Sequence, residues 1–174
     1  MNRTLSFDGM NRLRAAVLGA NDGIVSVAAL IIGVAAADTS RSALLTTGLA
    51  ALLAGAVSMG LGEYVSVATQ RDAERPLVQT GEMRADQLVR PWSAASASAV
   101  AFTAGALLPL VAILTVPVAQ RIPVTVAAVL VALTITGIAS AHLGATPWLR
   151  PTARILSGGA AAMAITYLVG YLAA

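Results

Sequence analysis

Residues 13–37 read LRAAVLGANDGIVSVAALIIGVAAA, and residues 44–70 read LLTTGLAALLAGAVSMGLGEYVSVATQ. Each run is long and apolar enough for a helix to cross a bilayer, which takes about 20 predominantly apolar residues. Each also holds one acid, Asp22 in the first and Glu63 in the second. A carboxylate in hydrocarbon is costly and rare unless it faces a cavity, a partner or an ion path. The chain has only 8 acidic residues, so two of them inside apolar runs are its main functional clue.

Three more apolar runs follow, giving five expected spans at about 13–37, 42–69, 91–117, 123–143 and 152–173. They are continuous, not alternating ten-residue segments, so helices are expected and a β-barrel is not. Of the 174 residues, 57% are hydrophobic and 11% charged. A soluble domain carries about 25% charged residues, and a soluble helical bundle needs polar faces that this chain lacks. The expected fold is an all-α integral membrane protein, with residues 1–174 forming a single domain of five transmembrane helices.

Charge sets the expected orientation. Arg3, Arg12 and Arg14 precede the first span, Arg71, Arg75, Arg84 and Arg90 lie between the second and third, and Arg150 and Arg154 lie between the fourth and fifth. Only Arg41 and Arg121 fall on the other side. Positively charged loops stay in the cytoplasm, so the N-terminus is expected there and the C-terminus outside. No cleavable signal is expected, because the first apolar run is too long and lacks a small-residue cleavage site after a short core.

The polar segment 71–90, RDAERPLVQTGEMRADQLVR, reads as a short cytoplasmic linker. Pro76 and Gly81 are expected to limit it to short helices. Within the spans, Ala51 and Gly55, and Ser58 and Gly62, are small-residue pairs at a spacing that lets helix backbones approach. Pro109 is expected to kink the third span.

The two acids also share a depth on this reading. Asp22 lies eight residues after Arg14, and Glu63 lies eight before Arg71. At 1.5 Å per residue each carboxylate is about 12 Å from its flanking arginine. The two helices run in opposite senses and share a short connection, so they are expected to be neighbours. Met59 lies one turn from Glu63 on the same helix face, and Ser26 stands in the same relation to Asp22. Carboxylate oxygens suit Mn²⁺ and Fe²⁺, and a thioether favours softer ions over Mg²⁺ or Ca²⁺. Asn21 and Ser58 are expected to support the path.

Plainer readings exist for each residue. Asp22 could cap a span that begins at Gly23, which leaves too short a crossing. Glu63 could sit at the membrane surface, although Tyr64 to Ala68 stays largely apolar. Met59 could be packing alone. His142 reads as an interface residue, and Trp92, Trp148, Tyr167 and Tyr171 as interfacial anchors or packing.

Other functions fit less well. There is no cysteine and only one histidine, which excludes disulfides, thiolate metal sites and a His-rich site. The pI near 10.2 suggests nucleic acid, but the arginines are scattered and have no aromatic platform beside them. No nucleophile–base pair or cofactor loop speaks for an enzyme. A small multidrug exporter would have four spans and more intramembrane aromatics, against 4% aromatic residues here. All eleven basic residues are arginine, as expected of a GC-rich bacterial genome, so a bacterial cytoplasmic (inner) membrane is the expected location.

These residues resemble the vacuolar iron transporter (VIT) family. VLGANDGIVSVAALIIGVAAA is similar to that family's first membrane helix, and AGAVSMGLGEYVSVATQRDAE to its second, through Ser-Met-Gly-x-Gly-Glu-Tyr-x-Ser. SGGAAAMAITYLVGYL is similar to the fifth. The resemblance implies export of Fe²⁺ or Mn²⁺ from the cytosol by proton antiport through a homodimer. It implies metal-binding positions at Asp22, Met59 and Glu63, and no resident cofactor. The family type carries a long glutamate-rich helical domain between the second and third spans. Segment 71–90 is a short form of it, in which Glu74, Glu82, Met83 and Asp86 are at most weak ligands. A non-transporting membrane metal sensor or assembly protein of the same fold is the alternative.

Overall fold

The structure is a computed structural model and describes residues 7–174; Arg3 lies outside them. Five long helices form: α1 (Phe7–Ala36), α2 (Arg41–Gln79), α3 (Pro91–Thr115), α4 (Arg121–Leu143) and α5 (Leu149–Ala173). Two single 3₁₀ turns, Ala85–Gln87 and Val118–Gln120, precede α3 and α4. All five long helices are long and apolar enough to cross a membrane, and no strand occurs among the described residues.

Local chemistry sets the helix ends. Ser40 opens α2, its side chain accepting a 3.2 Å hydrogen bond from the Ala43 N–H, which satisfies one of the free donors of a first turn. Arg90 is extended, as the residue before a proline must be, and Pro91 starts α3 where its missing N–H costs nothing. Gly81 at φ +79 turns the chain out of α2, a conformation that needs no Cβ.

The second helix is longer than the apolar pattern implies. It runs through Pro76 to Gln79, so the first half of the expected linker 71–90 is helix. Pro76 removes one helical donor, but this stretch is largely exposed, where water can replace the lost bond. Pro109 is likewise accommodated inside α3, which is continuous from Pro91 to Thr115.

Helix α1 is the centre of the bundle. On one side Val27 and Ile31 join Leu44 and Leu52 of α2 and Phe102, Ala106, Leu110 and Ile113 of α3. On the other, Ile24, Ala28 and Ile32 join Val129, Ala132 and Leu133 of α4 and Met163 of α5. The outward face carries large apolar side chains such as Leu53, Val57, Leu61, Ile135 and Leu172. That surface suits lipid and would be a liability in water.

Glycine lets α1 and α3 touch backbone to backbone. A Cβ at Gly19 would overlap the Ser98 carbonyl, and one at Gly23 the Phe102 carbonyl. The small-residue pairs expected on α2 do not serve this purpose. Gly55 makes room for the Phe102 ring, and a Cβ at Gly62 would meet nothing.

The contacts give the helix directions. Gly19 to Gly23 advances with Ser98 to Phe102, so α1 and α3 are parallel. Gly48, Gly55 and Gly60 of α2 meet Leu110, Phe102 and Ala99 in turn, so α2 is antiparallel to both. Val25 and Gly33 of α1 meet Gly159 and Thr166 of α5 in turn, so these two are parallel, and Gly137 and Leu133 of α4 meet Thr152 and Gly159, so α4 and α5 are antiparallel. One end of the bundle therefore collects Arg12, Arg14, Arg71, Arg75, Arg84, Arg90, Arg150 and Arg154, leaving Arg41 and Arg121 at the other.

Candidate functional site

Asp22, Ser26, Ser58 and Met59 line one cavity of about 360 Å³ between α1 and α2, with Phe102 of α3 at its back. Helical spacing produces the grouping. Asp22, Ser26 and Leu30 follow one another at four-residue intervals on α1, and Ala51, Gly55, Ser58 and Met59 occupy one face of α2. The Ser26 hydroxyl donates to the Asp22 main-chain carbonyl at 2.6 Å, so its oxygen lone pairs stay free to face the cavity. The Asp22 carboxylate has no hydrogen-bond or ion-pair partner among the described residues, and it is exposed on the flank of the single chain.

Glu63 is placed differently. It is 6% exposed, the only buried acid among the described residues, and it does not line the cavity. The Arg14 guanidinium donates to its Oε1. The same guanidinium is steered by Asn11, whose Oδ1 accepts from Nε at 3.3 Å and from Nη2 at 3.1 Å. The expected convergence of the two carboxylates is therefore divided. Asp22 and Met59 share the cavity, while Glu63 lies one turn along α2 from Met59, toward the arginine-rich end. Among the described residues, no group of three or more His, Cys, Asp or Glu side chains is arranged to hold a metal ion.

Asn21, expected in the path, faces away from it. Its Oδ1 accepts a 2.6 Å hydrogen bond from Thr136 Oγ1 of α4. The four expected weak ligands are not gathered. Glu74 accepts from Gln70 at 2.8 Å and from the Val89 N–H at 3.3 Å. Glu82 accepts from Thr80 at 3.0 Å, Asp86 pairs with Arg84 at 2.8 Å, and Met83 is half-buried.

Sequence reading missed the partners: Arg14 for Glu63, Thr136 for Asn21, and Phe102 behind the cavity. Arg14 was visible as the basic residue flanking the first span, on the side where Glu63 leaves the second. Nothing in the sequence pointed to Thr136.

Five membrane-crossing helices, with a cavity holding an acid and two hydroxyls between two of them, define a polytopic helical membrane protein. The chain belongs to the VIT family, whose profile matches residues 13–87 and 77–171. Vacuolar iron transporter homolog 1 of Oryza sativa subsp. japonica is 48% identical over 164 residues, covering 89% of this chain and 71% of that protein. Vacuolar iron transporter homolog 2 of Arabidopsis thaliana is 47% identical over 158 residues, covering 89% and 81%. Vacuolar iron transporter homolog 1 of Arabidopsis thaliana is 44% identical over 174 residues, covering 96% and 87%.

Proposed function

We propose that the chain is a transporter, and not an enzyme, that exports Fe²⁺ or Mn²⁺ from the cytosol in exchange for protons. The observation that carries this is the cavity lined by both Asp22 of α1 and Met59 of α2, two membrane-crossing helices. That donor pair suits a divalent transition metal better than Mg²⁺ or Ca²⁺. The names of the plant relatives support iron as a cargo. Proton and metal compete for the same carboxylate oxygens, so loading one expels the other.

The protomer offers too few ligands alone, and this supports a homodimer. Asp22 is exposed on a face that otherwise meets lipid, where an uncovered carboxylate is costly. A second copy packed on the α1–α2 face would cover it and supply a second carboxylate and thioether. The arginine-rich end supports a cytoplasmic N-terminus and an outer C-terminus. We place the chain in a bacterial cytoplasmic membrane on its all-arginine basic composition.

The test is flux of Mn²⁺ or Fe²⁺ into proteoliposomes under a pH gradient, with Asp22→Ala and Glu63→Ala alongside. Metal-dependent, gradient-dependent flux that both variants abolish is expected. Unchanged flux in the variants would refute the assignment. A non-transporting metal sensor is favoured by one observation, the separate local partners of Glu74, Glu82 and Asp86. It requires saturable metal binding without flux.

A further inference from the structure

Glu63 and Arg14 differ sharply in freedom. The Glu63 side chain is 5% exposed and that of Arg14 is 54% exposed. Theirs is the only ion pair joining two helices among the described residues; Arg75–Asp72 and Arg84–Asp86 are exposed and local. A buried carboxylate needs a compensating charge. Here that charge is a tethered guanidinium, pre-aimed by Asn11.

From this asymmetry we infer that Arg14 is an internal stand-in for the transported ion, occupying Glu63 when metal is absent and swinging out when metal arrives. The inference rests on the transport reading above, in which flux requires Glu63, and takes Glu63 as a stop for the metal on its way to the Asp22 cavity. Glu63 is fixed in the packed interior, so exchange has to move Arg14. A long arginine can turn its head to water or headgroups while its stem stays on apolar surface. Glu63 lies between the arginine-rich end and Met59, so a cation moving from that end toward the Asp22 cavity reaches Arg14 first.

The exchange also discriminates by charge. A monovalent ion offers no more charge than Arg14 and lacks its tether, which keeps the guanidinium at high effective concentration. A divalent ion doubles the charge presented to the carboxylate and can win. Arg14 thus acts as a specificity residue, holding the site closed to sodium and potassium and open to divalent metal.

The chain has no cysteine, so Arg14→Cys gives a unique thiol at an exposed position. One preparation of the full-length variant is split and capped with either a cationic aminoethyl or a neutral methyl methanethiosulfonate reagent. Mn²⁺ binding is measured for both, with and without sodium. The neutral adduct is expected to bind Mn²⁺ about tenfold more tightly, a modest share of what one nearby unit charge exerts at intermediate dielectric, and to lose that advantage in sodium. Equal Kd values for the two adducts would overturn the inference, and a folding defect would not separate them. In unmodified protein, Mn²⁺ is expected to speed phenylglyoxal modification of Arg14, read by mass spectrometry; no change or protection would overturn it. If the unmodified protein binds no Mn²⁺, the transport reading fails first and the exchange with it. Binding that ignores the charge at position 14 refutes the exchange alone.

Discussion

Asn21 and Asp22 are consecutive on α1, yet they serve opposite sides of the bundle. Asn21 is tied to Thr136 of α4 by a 2.6 Å bond, and Asp22 opens onto the cavity shared with α2. Consecutive helical residues point about 100° apart. The bond to α4 therefore fixes the rotation of α1 that turns Asp22 toward the cavity it shares with Met59.

Breaking that bond tests its positioning role. Thr136→Val keeps the shape and removes the hydroxyl. Interhelical hydrogen bonds in membranes contribute about 0.6 kcal/mol on average and at most about 1.7, so the loss of thermal stability is expected to be small. Mn²⁺ flux is expected to fall more than stability does, and Thr136→Ser to restore it. Flux that tracks stability in all variants would leave the bond a purely structural tie.

Met59 makes a selectivity prediction. Met59→Leu conserves volume and removes only the thioether, so packing should change by less than about 1.5 kcal/mol. Fe²⁺ and Mn²⁺ affinity is expected to fall at least about tenfold, the lower bound for even a supporting residue of a metal site. Any weak Mg²⁺ binding should be unchanged, since a thioether adds nothing for that ion. Competition binding across the three ions decides it, and a uniform loss would make Met59 a packing residue.

Two glycines should respond oppositely to alanine. Gly23→Ala drives a methyl into the Phe102 main-chain carbonyl. Overpacking of this kind costs about 1–3 kcal/mol, visible as a lower thermal midpoint in detergent. At Gly158 of α5 a Cβ meets nothing within 4 Å. There, alanine is expected to be neutral or to stabilise by up to about 1 kcal/mol through helix propensity. Equal effects at the two sites would refute the close α1–α3 approach.

Continuous apolar runs made all five spans readable, because hydrocarbon admits only helices that bond their own backbone. The pairing of Asp22 with Ser26 on one face was also readable from i,i+4 spacing, whereas the same spacing joined Met59 to Glu63, which does not line the cavity. Pairing between faces was not. The depth argument put Glu63 level with Asp22, but Gly23 and Gly55 both meet Phe102 while Glu63 pairs with Arg14, so Glu63 sits nearer the arginine-rich end than Asp22. Rotation is set by contacts distant in sequence, such as Thr136 with Asn21 and Phe102 with Gly23. The Gly19-xxx-Gly23 spacing lay in the first quoted stretch, yet the small pairs on α2 looked equivalent. Only the partner helix distinguishes a glycine that admits a backbone from one that faces open space.

Tyr64 offers a direct view of Glu63. It is the next residue in α2, and its ring lies 4.7 Å from that of Trp92 in α3, tilted by 50°. The chain has only two tryptophans, so Trp148→Phe leaves Trp92 as the sole indole beside this segment. Mn²⁺ is paramagnetic and quenches nearby indole fluorescence. Trp92 is largely exposed, so collisions with free metal will add a component that rises linearly with concentration. Metal held at Glu63 adds a saturable component whose midpoint equals the binding constant measured independently. Glu63→Gln is expected to remove the saturable part and leave the linear part. If the saturable part survives that substitution, metal stops elsewhere near the arginine-rich end and Glu63 is not a ligand. If only a linear part appears in both proteins, metal does not dwell at this level of the bundle, and the cavity at Asp22 must be loaded by another route.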